Sequence, residues 1–364
     1  MIRRFVCLAL ICLSLTGAAP GREAPEAPAA PQTGAKAYVL MDAATRRVLA
    51  AENADSPMLI ASTTKIMTAL LALECVKPDA VMTIPAEAHG VEGSSMYARA
   101  GQTYPVSEVL NGLMLLSGND AAVALAVYCA GSMEAFVGRM NDKAAELGMT
   151  GTVFCNPHGL WDVNISTARD MAILTCAAMR SEAFAALTAQ KRARVGEMTA
   201  RNHNRLLWDL PGCEGVKTGF TKKAGRCLVT STTRGGSRFV IVTLNDGSDW
   251  RDHKALAEFA FTEYPSRTLA RAGDIYRVPV SGGTLQEAVF ELPEDLTVPL
   301  TAAEAERVTT DVRLPRFFWA PLRQGQAYGS ICVSLDGETL QVMPLTARDD
   351  IPARPKRRSR LWPR

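Results

Sequence analysis

The sequence lacks the charge imbalance, the metal-ligand spacing and the late apolar runs that mark several large functional classes. Its 364 residues carry a formal net charge of +3, too small to argue for nucleic acid or any strongly acidic partner. Four histidines, His89, His158, His203 and His253, show no His-x-x-x-His pair and no ligand spacing, so no zinc and no other cofactor is expected. After the N-terminal stretch no segment is long and apolar enough to cross a bilayer. There is no internal repeat and no Cys-x-x-Cys pair. Nine cysteines at irregular spacing do not make a disulfide framework; most read as small buried hydrophobes, and one disulfide stays open without an assignment. What remains is ordinary globular composition, 48% hydrophobic and 21% charged, long enough for two domains with their own cores.

The N-terminus reads as an export signal over residues 1–18. Arg3 and Arg4 precede the apolar run Phe5–Leu15, and Thr16-Gly17-Ala18 offers small residues for cleavage. Residues 19–32, rich in proline and alanine, read as an extended spacer. A hairpin from Tyr38–Met41 and Val48–Ala51 opens a first domain over residues 33–271. Helices are expected over Ser62–Leu73, Ser107–Leu116, Asp120–Ala130, Ser132–Leu147, Ser166–Arg180 and Trp250–Tyr264. Val216–Phe220 reads as a strand, followed by a hairpin of Arg226–Thr233 and Arg238–Asn245 turned at Gly235-Gly236. From 272 to 348 short strand-like runs alternate with glycine, proline and aspartate, which predicts a small β-sandwich-like domain. Residues 349–364 form a basic tail.

Three fragments carry chemistry. Ser62-Thr63-Thr64-Lys65 sits where a loop becomes a helix, and positions three apart share a helix face. A serine hydroxyl is a poor nucleophile and needs a base in contact; a lysine amine serves only if burial or a second cation keeps it neutral. Lys217 is the candidate second cation. Ser117-Gly118-Asn119 lies at a corner between helices, where Ser117 can relay a proton and Asn119 can meet a substrate amide. Lys217-Thr218-Gly219 falls on a strand: Gly219 allows close backbone approach, and Lys217 and Thr218 suit a free carboxylate. Each fragment alone is an ordinary turn or helix start. Together, in this order, they resemble the motif set of class A β-lactamases and penicillin-binding proteins.

Other residues take structural readings. His158 in Asn156-Pro157-His158-Gly159-Leu160 reads as a turn residue, with a role lining the site as the alternative, Asp162 and Asp170 as caps or turn partners, and Asn202 and Asn204 as backbone hydrogen-bonders. Trp161, Trp208 and Trp250 read as packing residues. The tail sets Trp362 among six arginines and lysines, a pattern for a solvated run or for contact with an anionic membrane surface.

The chain resembles the D-alanyl-D-alanine carboxypeptidases, low-molecular-mass penicillin-binding proteins of the serine peptidase type. The resemblance rests on Ala61–Ala69, Leu116–Ala122 and Gly215–Thr221, and extends through Asn156–Leu160, Asn202–Leu207 and Ala320–Leu322. It implies an α+β fold, a β-lactamase/transpeptidase-like catalytic domain with an antiparallel sheet flanked by helices, followed by the all-β domain. It implies Ser62 as nucleophile, Lys65 as general base, Ser117 as relay, and Asn119, Lys217, Thr218, Gly219 and the Phe220 backbone N–H on the substrate side. Peptidoglycan stem peptides would be the substrates and β-lactams covalent inhibitors, in the cell envelope outside the cytoplasm. A β-lactamase would need a Glu-x-x-Leu-Asn segment between the second and third fragments, and none is there. A non-enzymatic sensor would need a membrane tether to a signalling domain. A D,D-endopeptidase would use the same residues.

Overall fold

Strand alternation splits the first domain into two cores around one sheet. In β1 (Ala35–Asp42), Ala37, Val39 and Met41 face one core while Tyr38 and Leu40 face the other. In β5 (Ser237–Asp246), Val240, Val242 and Leu244 divide from Phe239 and Ile241 in the same way. This is the period-two signature of a strand covered on both faces. The computed structural model describes residues 27–77 and 79–355; the residues read as an export signal, most of those read as a spacer and the basic cluster from Lys356 onward lie outside them.

The sheet is antiparallel, with five strands in the order β2 (Val48–Glu52), β1, β5, β4 (Gly225–Arg234), β3 (Cys213–Thr221). Its register pairs Val39 with Val242, Val229 with Val242, and Lys217 with Val229. The strand bearing Lys217-Thr218-Gly219 is therefore an edge.

One face carries α1 (Lys65–Cys75), α2 (Val106–Leu115), α3 (Asn119–Ala130), α4 (Met133–Leu147), α5 (Ala168–Ala178) and α6 (Glu182–Thr188). The other carries α7 (Asp249–Glu263), whose Leu256, Ala257 and Ala260 fill the second core. Helix α3 is apolar nearly all round and sits inside the helical layer, with Ala121 to Ala126 buried. Helix α4 starts on Ser132, whose hydroxyl accepts from Ala135 N, and stops at Gly148. Burying a large side chain such as Phe136 contributes about 1.5–3 kcal/mol.

The helix read from Ser62 begins as a 3-10 turn, Ala61–Thr64, and becomes α-helical only at Lys65. The all-β part starts earlier than Arg271: Ser266–Ala270 is a strand paired with Leu296–Pro299. Its main sheet runs in the order Val308–Arg313, Ala327–Leu335, Glu338–Ala347, Glu287–Glu291, Ile275–Ser281, Phe318–Trp319. Val308–Arg313 escaped the sequence reading because it is polar and exposed, so it has no apolar alternation. The folded part also runs past 348: Ile351 exchanges hydrogen bonds with Leu322, and Arg354 N donates to Gly282 O. No single helix among the described residues is long and apolar enough to cross a membrane.

Candidate active site

Lys65 is completely buried, and its amine meets three oxygens: Ser62 Oγ at 3.0 Å, Asn119 Oδ1 at 2.7 Å and the His158 carbonyl at 2.8 Å. Burial, then the nearby Lys217, hold its pKa well below the ordinary lysine value. A neutral amine has two N–H donors and one lone pair. Asn119 and His158 present carbonyl-type oxygens, which can only accept, and so take the two N–H groups. The lone pair is left facing the Ser62 hydroxyl.

Each partner is held by its own element. Ser62 lies in the 3-10 turn, behind Ala61 at φ 46°. Asn119 opens α3; its Nδ2 donates to Glu92 O at 2.6 Å and its backbone N to Ser94 O. Both ends of the Asn119 amide are thus engaged inside the protein, where the sequence reading had them facing a substrate. The next residue, Asp120, is buried and accepts from Met96 N, Ala98 N and Ser95 Oγ, fastening the loop that brings Ser94 to the cleft.

The His158 carbonyl is delivered by the turn read at Asn156–Leu160. Asn156 Oδ1 accepts from His158 N and Gly159 N, and Asn164 clamps the turn from below. Gly159 stands at φ 84°, and a Cβ there would lie 1.9 Å from Ala61 O. The His158 ring is buried, its pKa pushed down to about 4 by burial and by Lys65, so it adds no charge beside the amine.

The edge strand β3 closes the other side. A Cβ on Gly219 would lie 3.1 Å from Ile60 O, Ser62 N and Thr63 N, so the absent side chain is what lets the strand lie against the serine turn. Lys217 is buried, its amine 2.8 Å from Thr218 O, and burial lowers its pKa to about 7. Phe220 is 65% exposed at the rim. Thr221 Oγ1 donates to Asp162, which ties the strand end to the Trp161 loop.

Between these segments lies a cleft of about 320 Å³ lined by Ser62, Ser117, Thr218, Gly219 and Phe220. Ser117, at φ 60°, faces the cleft, but the hydrogen bonds of Lys65 run to Ser62, Asn119 and His158 rather than to it. Other lining groups were not read from sequence as facing a site, among them His203, the Arg226–Asp249 ion pair and Trp250, which was read as a packing residue. His203 sits in a turn built by its neighbours, Asn202 Oδ1 accepting from Asn204 N and Asn204 Oδ1 from Leu206 N. The Asn-His-Asn triplet signals a stiff turn, but not the direction in which it points the imidazole.

A serine turn, a helix corner and a Lys-Thr-Gly edge strand around one cleft, on an antiparallel sheet flanked by helices, define the β-lactamase/transpeptidase-like class of serine enzymes. Within that class, the D-alanyl-D-alanine carboxypeptidase family model matches residues 24–248, and the penicillin-binding protein 5 C-terminal domain model matches residues 264–353. The chain belongs to the D-alanyl-D-alanine carboxypeptidase family. It is 32% identical over 336 residues to D-alanyl-D-alanine carboxypeptidase DacF of Bacillus subtilis, covering 87% of this chain and 86% of that protein. It is 34% identical to DacC of Escherichia coli, covering 88% of this chain and 85% of DacC. The crystal structure of penicillin-binding protein 5 from Haemophilus influenzae superposes with a TM-score of 0.73 at 29% identity, over 89% of this chain and 99% of that one.

Proposed function

We propose that this enzyme removes the terminal D-alanine from peptidoglycan stem pentapeptides through an acyl-enzyme on Ser62, and that β-lactams acylate the same oxygen. The observation that carries this reading is the buried Lys65 amine within hydrogen-bond distance of Ser62 Oγ, Asn119 Oδ1 and the His158 carbonyl, an arrangement that in the neutral amine leaves the lone pair for the Ser62 hydroxyl. Ser62 Oγ attacks the penultimate carbonyl carbon while its proton passes to Lys65 Nζ. The oxyanion is met by the N–H groups of Ser62 and Phe220. When the C–N bond breaks, the departing D-alanine amine takes that proton, relayed by Ser117. Water then attacks the ester, Lys65 accepts its proton, and that proton returns to Ser62 as the acyl group leaves.

The test is incubation with a pentapeptide ending in D-Ala-D-Ala, with mass spectrometry of the products and of the trapped protein. Loss of one alanine and an adduct on the Ser62 peptide are expected. Cleavage of crosslinked dimers only would replace the reading by an endopeptidase, and an adduct elsewhere would remove Ser62.

Substrates ending in a free carboxylate are met by Thr218 and by the positive charge of Lys217 behind it. Lys217→Ala is expected to raise KM for carboxylate-ended peptides more than for amide-capped ones. The difference should shrink as pH rises above about 7, where Lys217 loses its proton. Equal losses on both substrates would remove Lys217 from carboxylate recognition.

The substrate places the work outside the cytoplasm. We also assign the tail to the membrane surface: Arg354 N donates to Gly282 O, a Cβ on Gly282 would lie 4.0 Å from the exposed Trp319, which pairs with the exposed Phe317, and Lys356 to Arg364 follow in the sequence. Deleting 356–364, which leaves Ile351 and Arg354 in the fold, should abolish binding to anionic vesicles and leave binding to neutral vesicles unchanged. Unaltered anionic-vesicle binding would remove the tail from this role.

A further inference from the structure

Two cysteines meet at the ends of the helices whose other ends build the site. Cys75 is the last residue of α1, which begins at Lys65; Cys129 is the penultimate residue of α3, which begins at Asn119. The Cys75 thiol lies 3.6 Å from the Cys129 carbonyl oxygen, across 54 residues of sequence. Burial first, then the neighbouring Cys75 thiol, push the Cys129 thiol up to about 12. Both are free thiols. Among the other described cysteines Cys155 is exposed, and four have different neighbours. Cys176 abuts Met41, Cys227 the Leu59 carbonyl, Cys213 the Gly215 carbonyl, and Cys332 two hydroxyls.

Exposure differs across the pair in a useful way. Cys75 is exposed and borders a cleft of about 340 Å³ between α1 and α4, with Glu74, Arg139 and Lys143 around it. Cys129 is buried beneath, its carbonyl also held by Arg139 Nη1 at 2.8 Å. An external disulfide can therefore reach the first thiol and not the second.

We propose that Cys75 and Cys129 form a disulfide when the chain meets a disulfide-donating oxidant, either a dithiol oxidase or a small disulfide such as oxidised glutathione. The Cys75 thiolate attacks one sulfur of the oxidant, forming a mixed disulfide and expelling one thiolate. That thiolate takes the Cys129 proton. The Cys129 thiolate then attacks the Cys75 sulfur and expels the second thiolate, which takes up the proton that Cys75 had released to solvent. Two protein thiols are oxidised and one external disulfide is reduced to two thiols. The bond ties the far ends of α1 and α3, about 15 Å of helix from Lys65. It acts on the stability of the helical layer and not on the chemistry at Ser62.

The test treats the full chain with oxidised glutathione and maps peptides without reduction. A Cys75–Cys129 crosslink is expected, with Cys75 alkylation by maleimide falling at least about tenfold. The oxidised protein should melt several degrees above the reduced one, a difference lost in both Cys75→Ser and Cys129→Ser. Cys129→Ser should instead accumulate the stable mixed disulfide at Cys75. Penicillin acylation should be equal in the oxidised and reduced forms. A persistent mixed disulfide in the unaltered chain, a Cys75 that stays fully alkylatable, or a crosslink to another cysteine would each overturn the proposal.

Discussion

Replacing Lys65 by alanine is expected to slow acylation by a fluorescent penicillin by about 10²–10⁴-fold, the usual worth of a positioned base. At about 1.36 kcal/mol per decade, that is roughly 3–5 kcal/mol of barrier. Ser62→Ala should remove labelling altogether. The base acts only when neutral, so the acylation rate of the unaltered enzyme should rise with pH along a limb set by Lys65, well below the ordinary lysine range. Lys217 is the second cause of that depression, so Lys217→Ala should move the limb to higher pH. A Lys65→Ala rate near that of the unaltered enzyme, or a limb that stays put in Lys217→Ala, would remove the amine from the role.

The same burial has a stability consequence with a defined sign. Lys217 titrates near 7 in the folded protein and near its ordinary value of 10.5 when unfolded. Between those values the unfolded chain binds more protons, so stability rises with pH across that window and is flat in this term below it. Lys217→Ala should therefore flatten the stability curve between pH 7 and about 9. Urea melts at several pH values read this directly.

What the residues announced, and what they did not, divides along a physical line. The hairpin β4–β5, the capped helix α4 and the three catalytic fragments are local patterns: alternation, a serine ahead of an amphipathic run, i to i+3 spacing. They can be read without knowing what packs on them. The serine–lysine contact belongs to this group, since one helical turn fixes it. Asn119 was read as meeting a substrate amide; its own amide lies between Lys65 and the Glu92 carbonyl, and nothing local says that this carbonyl waits on its far side. His158 was read as a turn residue with a place lining the site as the alternative; the atom that meets Lys65 is its carbonyl, which every residue type carries. His203 and Trp250 reach the cleft only because the chain folds over long range. In the all-β part, Val308–Arg313 owes its strand to pairing with Ala327–Leu335 rather than to its own composition.

Gly159→Ala is expected to cripple acylation although the residue supplies no chemistry. Its added methyl would overlap the carbonyl of Ala61, the residue that turns the chain into Ser62, at a φ of 84° that alanine adopts only with strain. Left-handed strain and overpacking each cost roughly 1–3 kcal/mol, so a loss of about 2–5 kcal/mol in stability is expected. Relief requires either the 156–160 turn to withdraw or the serine turn to shift. Withdrawal takes the His158 carbonyl from Lys65, leaving an N–H unpaired and the lone pair free to rotate off Ser62. A shift moves the nucleophile itself. A displacement of about 1 Å in either group costs about 10²-fold in rate. The needed control is a variant that is destabilised without touching the site. Leu256→Ala on α7 qualifies: it is fully buried in the core on the opposite face of the sheet, and its cost is about 2–5 kcal/mol. Well below both melting temperatures, Leu256→Ala should acylate at the normal rate and Gly159→Ala about a hundredfold slower. Equal rates in the two folded variants would mean that the turn's backbone carbonyl does not set the lysine's aim.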